Sequence, residues 1–575
     1  MKKVLVFAYI LILGIKAISQ SLITPFEKSN GKQTATYFEC IRYYEMLDNQ
    51  FKSISVKLFN TTDAGYPLRL ILFSADNNFD VRTWQKDKAI ILINNGIHPG
   101  EPDGIDACMM LLRDLALGKI AAPKNVALGF IAIYNIGGAL NRNTFSRVNQ
   151  QGPESYGFRG NAQNLDLNRD FTKNDSRNAR AFASIFHYLK PHIFMDNHVS
   201  DGADYQHTMT LLSTQHNKLG GPVGDFLHNK LEPALYKNME EKKWPLIPYV
   251  NFEDANPDKG WAAFYDPPRY SSGYVSLFQT MGFVPETHML KPFAERVRST
   301  YSLMRAMIEE SSKQAKQIIE TKKASEEAVI KQTGFALTWK VDSSRFDMID
   351  FKGYETGTKK SEVTGMSRLV YDHTKPFEKQ VKFYNYYKGA NMITAPEAYI
   401  IPQGWHEVTD ILKLNNVSMR RLSKDTILQV EVYRIEDYKS LPRPYEKHHK
   451  NTDVVTSKKQ QPIQFLKGDY IVSCKQPAKR YIIEMLEPAG DDSFFAWNFF
   501  DAILQQKEGY SEYRWEDVAA EYVLKHPEVK QQLEEKKKTD PKLSASASAQ
   551  LNFVYKNSPY YEPAHLRYPV FRLAE

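Results

Sequence analysis

A histidine and a glutamate three positions apart, His98 and Glu101 in "GIHPGEPDG", are the pair with the most chemical promise in this sequence. Imidazole nitrogen and carboxylate oxygen both suit a borderline divalent cation. Of the fourteen histidines, only His98 has a glutamate three residues on. A hydrolytic zinc takes three protein ligands and keeps a fourth position open, so a second histidine is required. Two neutral imidazoles and one carboxylate leave such a site net positive, which acidifies water and polarises a carbonyl. His198 in "MDNHVSDGADYQH" is the candidate, a hundred residues further on, with His207 as its competitor. The competing structural reading is a capping glutamate at a helix start beside incidental histidines.

A second constellation is "GFRGNAQNLDLNRDF", residues 157–171, which gathers Arg159, Asn161, Asn164, Asp166, Asn168, Arg169 and Asp170. Arginine's planar fork suits two-point binding of a carboxylate. A salt-bridge network with no catalytic role has the same composition.

These residues fall where strands end. The apolar run Ala89–Ile93 has strand length, and from Pro102 the period changes, placing Ile105, Cys108, Met109 and Leu112 on one helix face. His98 and Glu101 therefore lie in the connection leaving the strand's carboxyl end, where α/β sheets bind ligands. A second strand runs from Val126 to Tyr134 and breaks at Gly137-Gly138. A helical "NARAFASIFHYLK" then precedes a strand-like segment ending at His198, and a last apolar run, "MGFVPETHM", carries Glu286. Alternation of this kind predicts an α/β domain with a mixed sheet flanked by helices. Residues 301–332 read as one long helix closing that domain. After Gly334 the texture turns to short β-prone pieces and then to helix, predicting a second, β-rich then α-rich C-terminal domain. "KSLPRPYEKHHKN", with His448 and His449 solvated, and "PKLSASASAQ" both read as exposed loops.

The first residues, "MKKVLVFAYILILGIKAISQ", have the form of a secretory signal: Lys2 and Lys3, then an apolar stretch from Val4 to Ile15, then "AIS" before Gln20. Twelve residues are too few to span a bilayer. The expectation is a soluble, secreted or periplasmic chain with no stable membrane insertion once the signal is gone. Removing residues 1–19 leaves 72 basic against 67 acidic residues, a net +5, which does not argue for nucleic acid. Three widely spaced cysteines (Cys40, Cys108, Cys474) allow at most one bridge and form no zinc motif.

HxxE, then D-x-N-R, then a strand-end histidine, then a strand glutamate together resemble the zinc metallocarboxypeptidases of the carboxypeptidase A/B type, in order and spacing, over residues 60 to 300. "FRGNAQNLDLNRDF" is most similar to the regulatory branch, whereas the residues beyond 335 do not resemble the small β-sandwich that follows the catalytic domain there; "LEPAGDDSFFAWNFFDAILQQKEGYSEYRWEDVA" resembles the C-terminal part of long bacterial secreted homologues. The resemblance implies a zinc carboxypeptidase-like fold over residues 20–333 and a C-terminal domain, 334–575, of unstated role. It implies one Zn²⁺ held by His98, Glu101 and His198, with Asp166 holding a ligand histidine by its second nitrogen. Asn168, Arg169 and Arg159 would bind the terminal carboxylate of a peptide, Arg147 being the competitor for Arg159. Glu286 would be the general base. A substrate-contacting tyrosine is implied just before it, Tyr274 in preference to Tyr270. The implied activity is removal of C-terminal residues from peptides. A zinc amidase or deacylase acting on N-acylated amino acids or cell-wall peptides, and a non-catalytic binding protein, are the alternatives.

Overall fold

A computed structural model of the chain describes residues 22–250 and 257–573. The proposed signal, residues 1–19, lies outside the described residues. At the centre is a nine-stranded mixed sheet. Its middle is parallel: Val126–Ile131, Ala89–Asn94, Ile193–Asp196 and Met281–His288 run side by side. The antiparallel hairpin Ile54–Thr61/Pro67–Ser74 extends one edge, and Met209–Ser213 extends the other.

Every residue of Ala89–Asn94 and Val126–Ile131 is buried, which is why these strands read as unbroken apolar runs rather than alternating ones. The pleat divides them between two cores. Ile91, Ile93, Leu128 and Phe130 face one layer, built with the helices Asp103–Ala116 and Phe293–Lys313. Ile90, Leu92, Ala127 and Ile131 face the other, which holds the helix Arg177–Leu189 together with C-terminal residues such as Tyr399, Tyr481 and Phe500. The expected fold class, a mixed sheet flanked by helices followed by further β-rich structure, is the one found.

The helix after His98 is buried almost all round, well beyond the stripe of Ile105, Cys108, Met109 and Leu112. Gly104 permits this. A Cβ there would stand 2.4 Å from the Asn95 Oδ1 and 2.5 Å from the Asn197 Cβ, so a side chain would lift the helix off the strand ends. In the same first turn Asp106 is fully buried, and its Oδ1 accepts the Ala35 N–H at 3.2 Å. Burial, with Asp103 adding a like charge, pushes this carboxyl up to about 7. Its folded value exceeds the unfolded value of about 3.9. The associated stability is therefore fully present below that lower value and lost as pH rises through about 7. Asp106→Asn should thus gain on the order of 1–3 kcal/mol over the parent at pH 8 and little at pH 4. Thermal melts of both chains across that range check it, and parallel pH profiles would refute it.

Beyond residue 334 the β-prone pieces join into two long hairpins, Asp347–Lys360/Ser367–Tyr384 and Thr426–Ser440/Asn451–Phe465. The second belongs to a six-stranded sheet that also includes Ala398–Ile401, Tyr470–Ser473 and Phe571–Leu573. Three expectations change. The long helix is two, Phe293–Lys313 and Ala315–Lys331, separated at Gln314. "PKLSASASAQ" is helical: Asp540 caps Pro541–Ser544, and the Ser546 hydroxyl accepts the Ala549 N–H to start Ala547–Lys556. Its serines read as loop because serine serves both turns and caps. "KSLPRPYEKHHKN" is the tip of the second hairpin and is docked: His448 Nε2 lies 2.8 Å from the Asp175 Oδ2. No helix among the described residues is long and apolar enough to cross a membrane.

Candidate active site

At the carboxyl ends of the parallel strands, the tight turn after Ala89–Asn94 returns the Glu101 N–H to the His98 carbonyl at 2.8 Å. Both side chains thereby point into one cavity, of about 650 Å³. His198 opens the short strand His198–Ser200, which pairs in parallel with Met281–His288 so that His198 is in register with Glu286. The sheet itself sets the histidine beside the glutamate.

The structure brings His98, Glu101 and His198 together. The His98 Nδ1 lies 3.1 Å from one Glu101 oxygen and the His198 Nδ1 3.0 Å from the other. The Val199 N–H adds a hydrogen bond at 2.9 Å and Arg147 an ion pair at 2.6 Å. One donor atom from each of the three residues lies within 4.8 Å of the others, and all three are buried. The remaining ring nitrogens face carboxylates: His98 Nε2 is 2.9 Å from the Asp166 Oδ1, and His198 Nε2 is 3.1 Å from the Asp196 Oδ2. That arrangement leaves each Nδ1 free to bind a cation. Two imidazoles, one carboxylate and outer carboxylates on both rings are a donor set that fits a divalent metal.

The electrostatics agree. Burial alone would lower the His198 pKa, but Asp196, with Glu101 and Glu286, holds it well above the usual imidazole value. Burial likewise works against ionised Glu101, yet Arg147 and His98 keep it well below the ordinary carboxylate range. Positive charge is thus strongly favoured among these carboxylates. Glu286 is different. Burial pushes its carboxyl up to about 8, His198 opposing and Glu101 and Asp196 reinforcing the shift. A cation bound beside it would pull that value down.

Asp166 organises the opposite wall. Its Oδ1 faces His98 and accepts the Asn168 N–H at 2.9 Å, starting the short turn Leu167–Arg169. Its Oδ2 accepts from Arg159 Nε at 3.0 Å. Asn168, Arg169 and a half-exposed Arg159 line the cavity together with Glu286. Arg147 lines it too, on Glu101, so the two arginines weighed against each other are both present.

Tyr274 does not reach the cavity. It is fully buried in the second core, its hydroxyl donating to the Asn415 Oδ1 at 2.7 Å. Its position in the helix Ser271–Ser276 turns it inward. Tyr270, which precedes that helix, lines the cavity and stacks under the Arg169 guanidinium, 4.1 Å from ring centroid to Cζ. His207 is likewise elsewhere, its Nδ1 3.2 Å from the Pro245 carbonyl oxygen. Sequence reasoning missed Asp196, although its place two residues before His198 on an apolar strand was a signal. It also missed Asp266, a buried carboxylate in the cavity wall that nothing in "YDPPRY" marks out. Burial raises Asp266 to about 6.

The site is a mixed α/β sheet with three buried side chains at its carboxyl ends, His98, Glu101 and His198, that could hold a metal ion. No protein-family model matches the chain, and none of the curated proteins does. Among solved structures it is similar to a metallo-carboxypeptidase from Burkholderia cenocepacia, at 14% identity over 48% of this chain and 70% of that one, with a TM-score of 0.36. It is also similar to the carboxypeptidase A from Helicoverpa armigera, at 14% identity over 49% and 74% and a TM-score of 0.37. A third is bovine thrombin-activatable fibrinolysis inhibitor, at 13% identity over 50% and 98% and a TM-score of 0.35.

Proposed function

We propose that this chain is a secreted zinc metallocarboxypeptidase, with residues 20–333 carrying the chemistry. The observation that carries the reading is one cavity receiving four groups: the His98–Glu101–His198 cluster, a carboxylate with a raised pKa at Glu286, an Asn168–Arg169 pair, and Arg159. His98, Glu101 and His198 would hold Zn²⁺, which when bound supplies a Lewis acid able to polarise a carbonyl and acidify water.

The remaining work belongs to the chain. Arg169, flat on Tyr270, and Asn168 grip the terminal carboxylate of a peptide and thereby set the scissile bond at a fixed distance from the cluster. Glu286 takes the proton from the attacking water at its carboxylate and returns it to the leaving amine. Arg159, held by Asp166, presents a cation where negative charge develops on the carbonyl oxygen. Asp166 and Asp196 keep the two imidazoles oriented.

Free-C-terminus peptides and their C-terminally amidated counterparts, offered together and read by mass spectrometry, test this. Single-residue trimming should occur on the free peptides alone. Arg169→Ala should raise KM about 10–100-fold, the worth of a charge-assisted pair to the carboxylate. Equal cleavage of both substrate sets would show that no carboxylate clamp operates.

A further inference from the structure

Asp166 touches one proposed ligand, the cation and the turn of the carboxylate clamp. It faces His98, accepts from Arg159, and starts the turn that presents Asn168 and Arg169. A small rotation there displaces ligand, cation and clamp at once. Its own backbone N–H is not held by the catalytic half. It donates to the Glu446 Oε2 at 2.8 Å, from a residue 280 positions away.

Glu446 sits at the tip of the hairpin Thr426–Ser440/Asn451–Phe465. Tyr445 and His448 exchange both backbone hydrogen bonds, at 2.7 and 3.1 Å. The two residues between them, Glu446 and Lys447, have φ of 49° and 77°. Positive φ at both central positions is the pattern of a type I′ turn, which favours Asn-Gly and is strained for a residue such as glutamate. The tip is nonetheless fixed on both sides. Tyr445 stacks on the buried Trp497, ring centroids 6.1 Å apart, and His448 pairs with Asp175 at 2.8 Å. A strained glutamate held in place at a cavity's supporting wall points to function rather than to the turn itself.

We propose that Glu446 is a positioning residue: the C-terminal half reaches over with this hairpin tip to lock Asp166, and through it His98 and the Asn168–Arg169 clamp. The role rests on the cavity being a metal site, and it gives residues 334–575 a part in that site.

The test uses the full chain and two readouts besides turnover: zinc affinity by competition with a chromophoric chelator, and the melting temperature of the zinc-free protein. The paired substitution Glu446→Asn with Lys447→Gly suits the turn but replaces the carboxylate with a carboxamide one methylene too short to reach the Asp166 N–H. It should leave the zinc-free melting temperature unchanged or higher while weakening zinc about tenfold, the scale of a lost support behind a ligand histidine. Glu446→Gln, which retains an acceptor oxygen at full length, should recover most of the affinity. Unchanged zinc affinity in the paired variant overturns the proposal, as does a loss of affinity that merely follows a lowered melting temperature. A wild type that binds zinc and shows this pattern but trims no peptide would refute the carboxypeptidase reading and leave the positioning role standing.

Discussion

Glu286→Gln should cut kcat on a free-C-terminus peptide by about 10²–10⁴-fold, the contribution of a well-placed general base. The change is nearly isosteric, and Glu286 is not among the three clustered ligands, so the variant should still take up one equivalent of zinc. KM should move little, because the proposed carboxylate clamp, Asn168 and Arg169, lies on another segment. Steady-state kinetics with a metal assay on the same sample separates these effects. A variant that trims peptides at the wild-type rate would remove Glu286 from the reaction, and the assignment of base would pass to another carboxylate of the cavity.

The second large effect concerns the metal. Dialysis against a strong chelator should abolish activity, and Zn²⁺ should restore it where Mg²⁺ does not, since two imidazoles and one carboxylate suit zinc rather than a hard, oxygen-seeking cation. The holo form should also melt higher, because a ligand bound only by the folded chain stabilises it in proportion to the logarithm of its saturation. His198→Ala should reproduce the stripped protein even in excess zinc. Full activity after exhaustive chelation would contradict a metal-dependent mechanism outright.

Legibility in the sequence followed the kind of order each element has. Strands such as Ala89–Asn94 announce themselves because burial on both faces demands an unbroken apolar run. Groups at their carboxyl ends follow from that, which is how His98, Glu101 and His198 could be singled out, while Glu286 was implied by the family resemblance; all four line one cavity. The preference for Tyr274 over Tyr270 was wrong, because the outcome turned on which of two tyrosines enters a six-residue helix and faces the core. Asp196 escaped although its partner His198 stands only two residues on, and Asp266 escaped because its burial in the cavity wall is set by segments distant in the chain. The tip at Glu446 was the least visible of all. Proline, charge and paired histidines describe a solvated loop, and only the tertiary fold shows what that loop touches.

The parallel pairing of His198 with Glu286 has a consequence for how this protein can change. The separation between the proposed metal ligand and the proposed proton acceptor is set by backbone hydrogen bonds between adjacent strands, whereas the walls that would meet a substrate side chain come mostly from the connections around them. Chemistry and selectivity thus reside in different mechanical parts. Lengthening or replacing a connection can retune what enters the cavity without detuning the reacting groups. A one-residue insertion within either strand would turn one of the pair to the opposite face of the sheet and end catalysis at a stroke. Recombination libraries that exchange only the connections should therefore yield new specificities far more often than libraries that touch the strands.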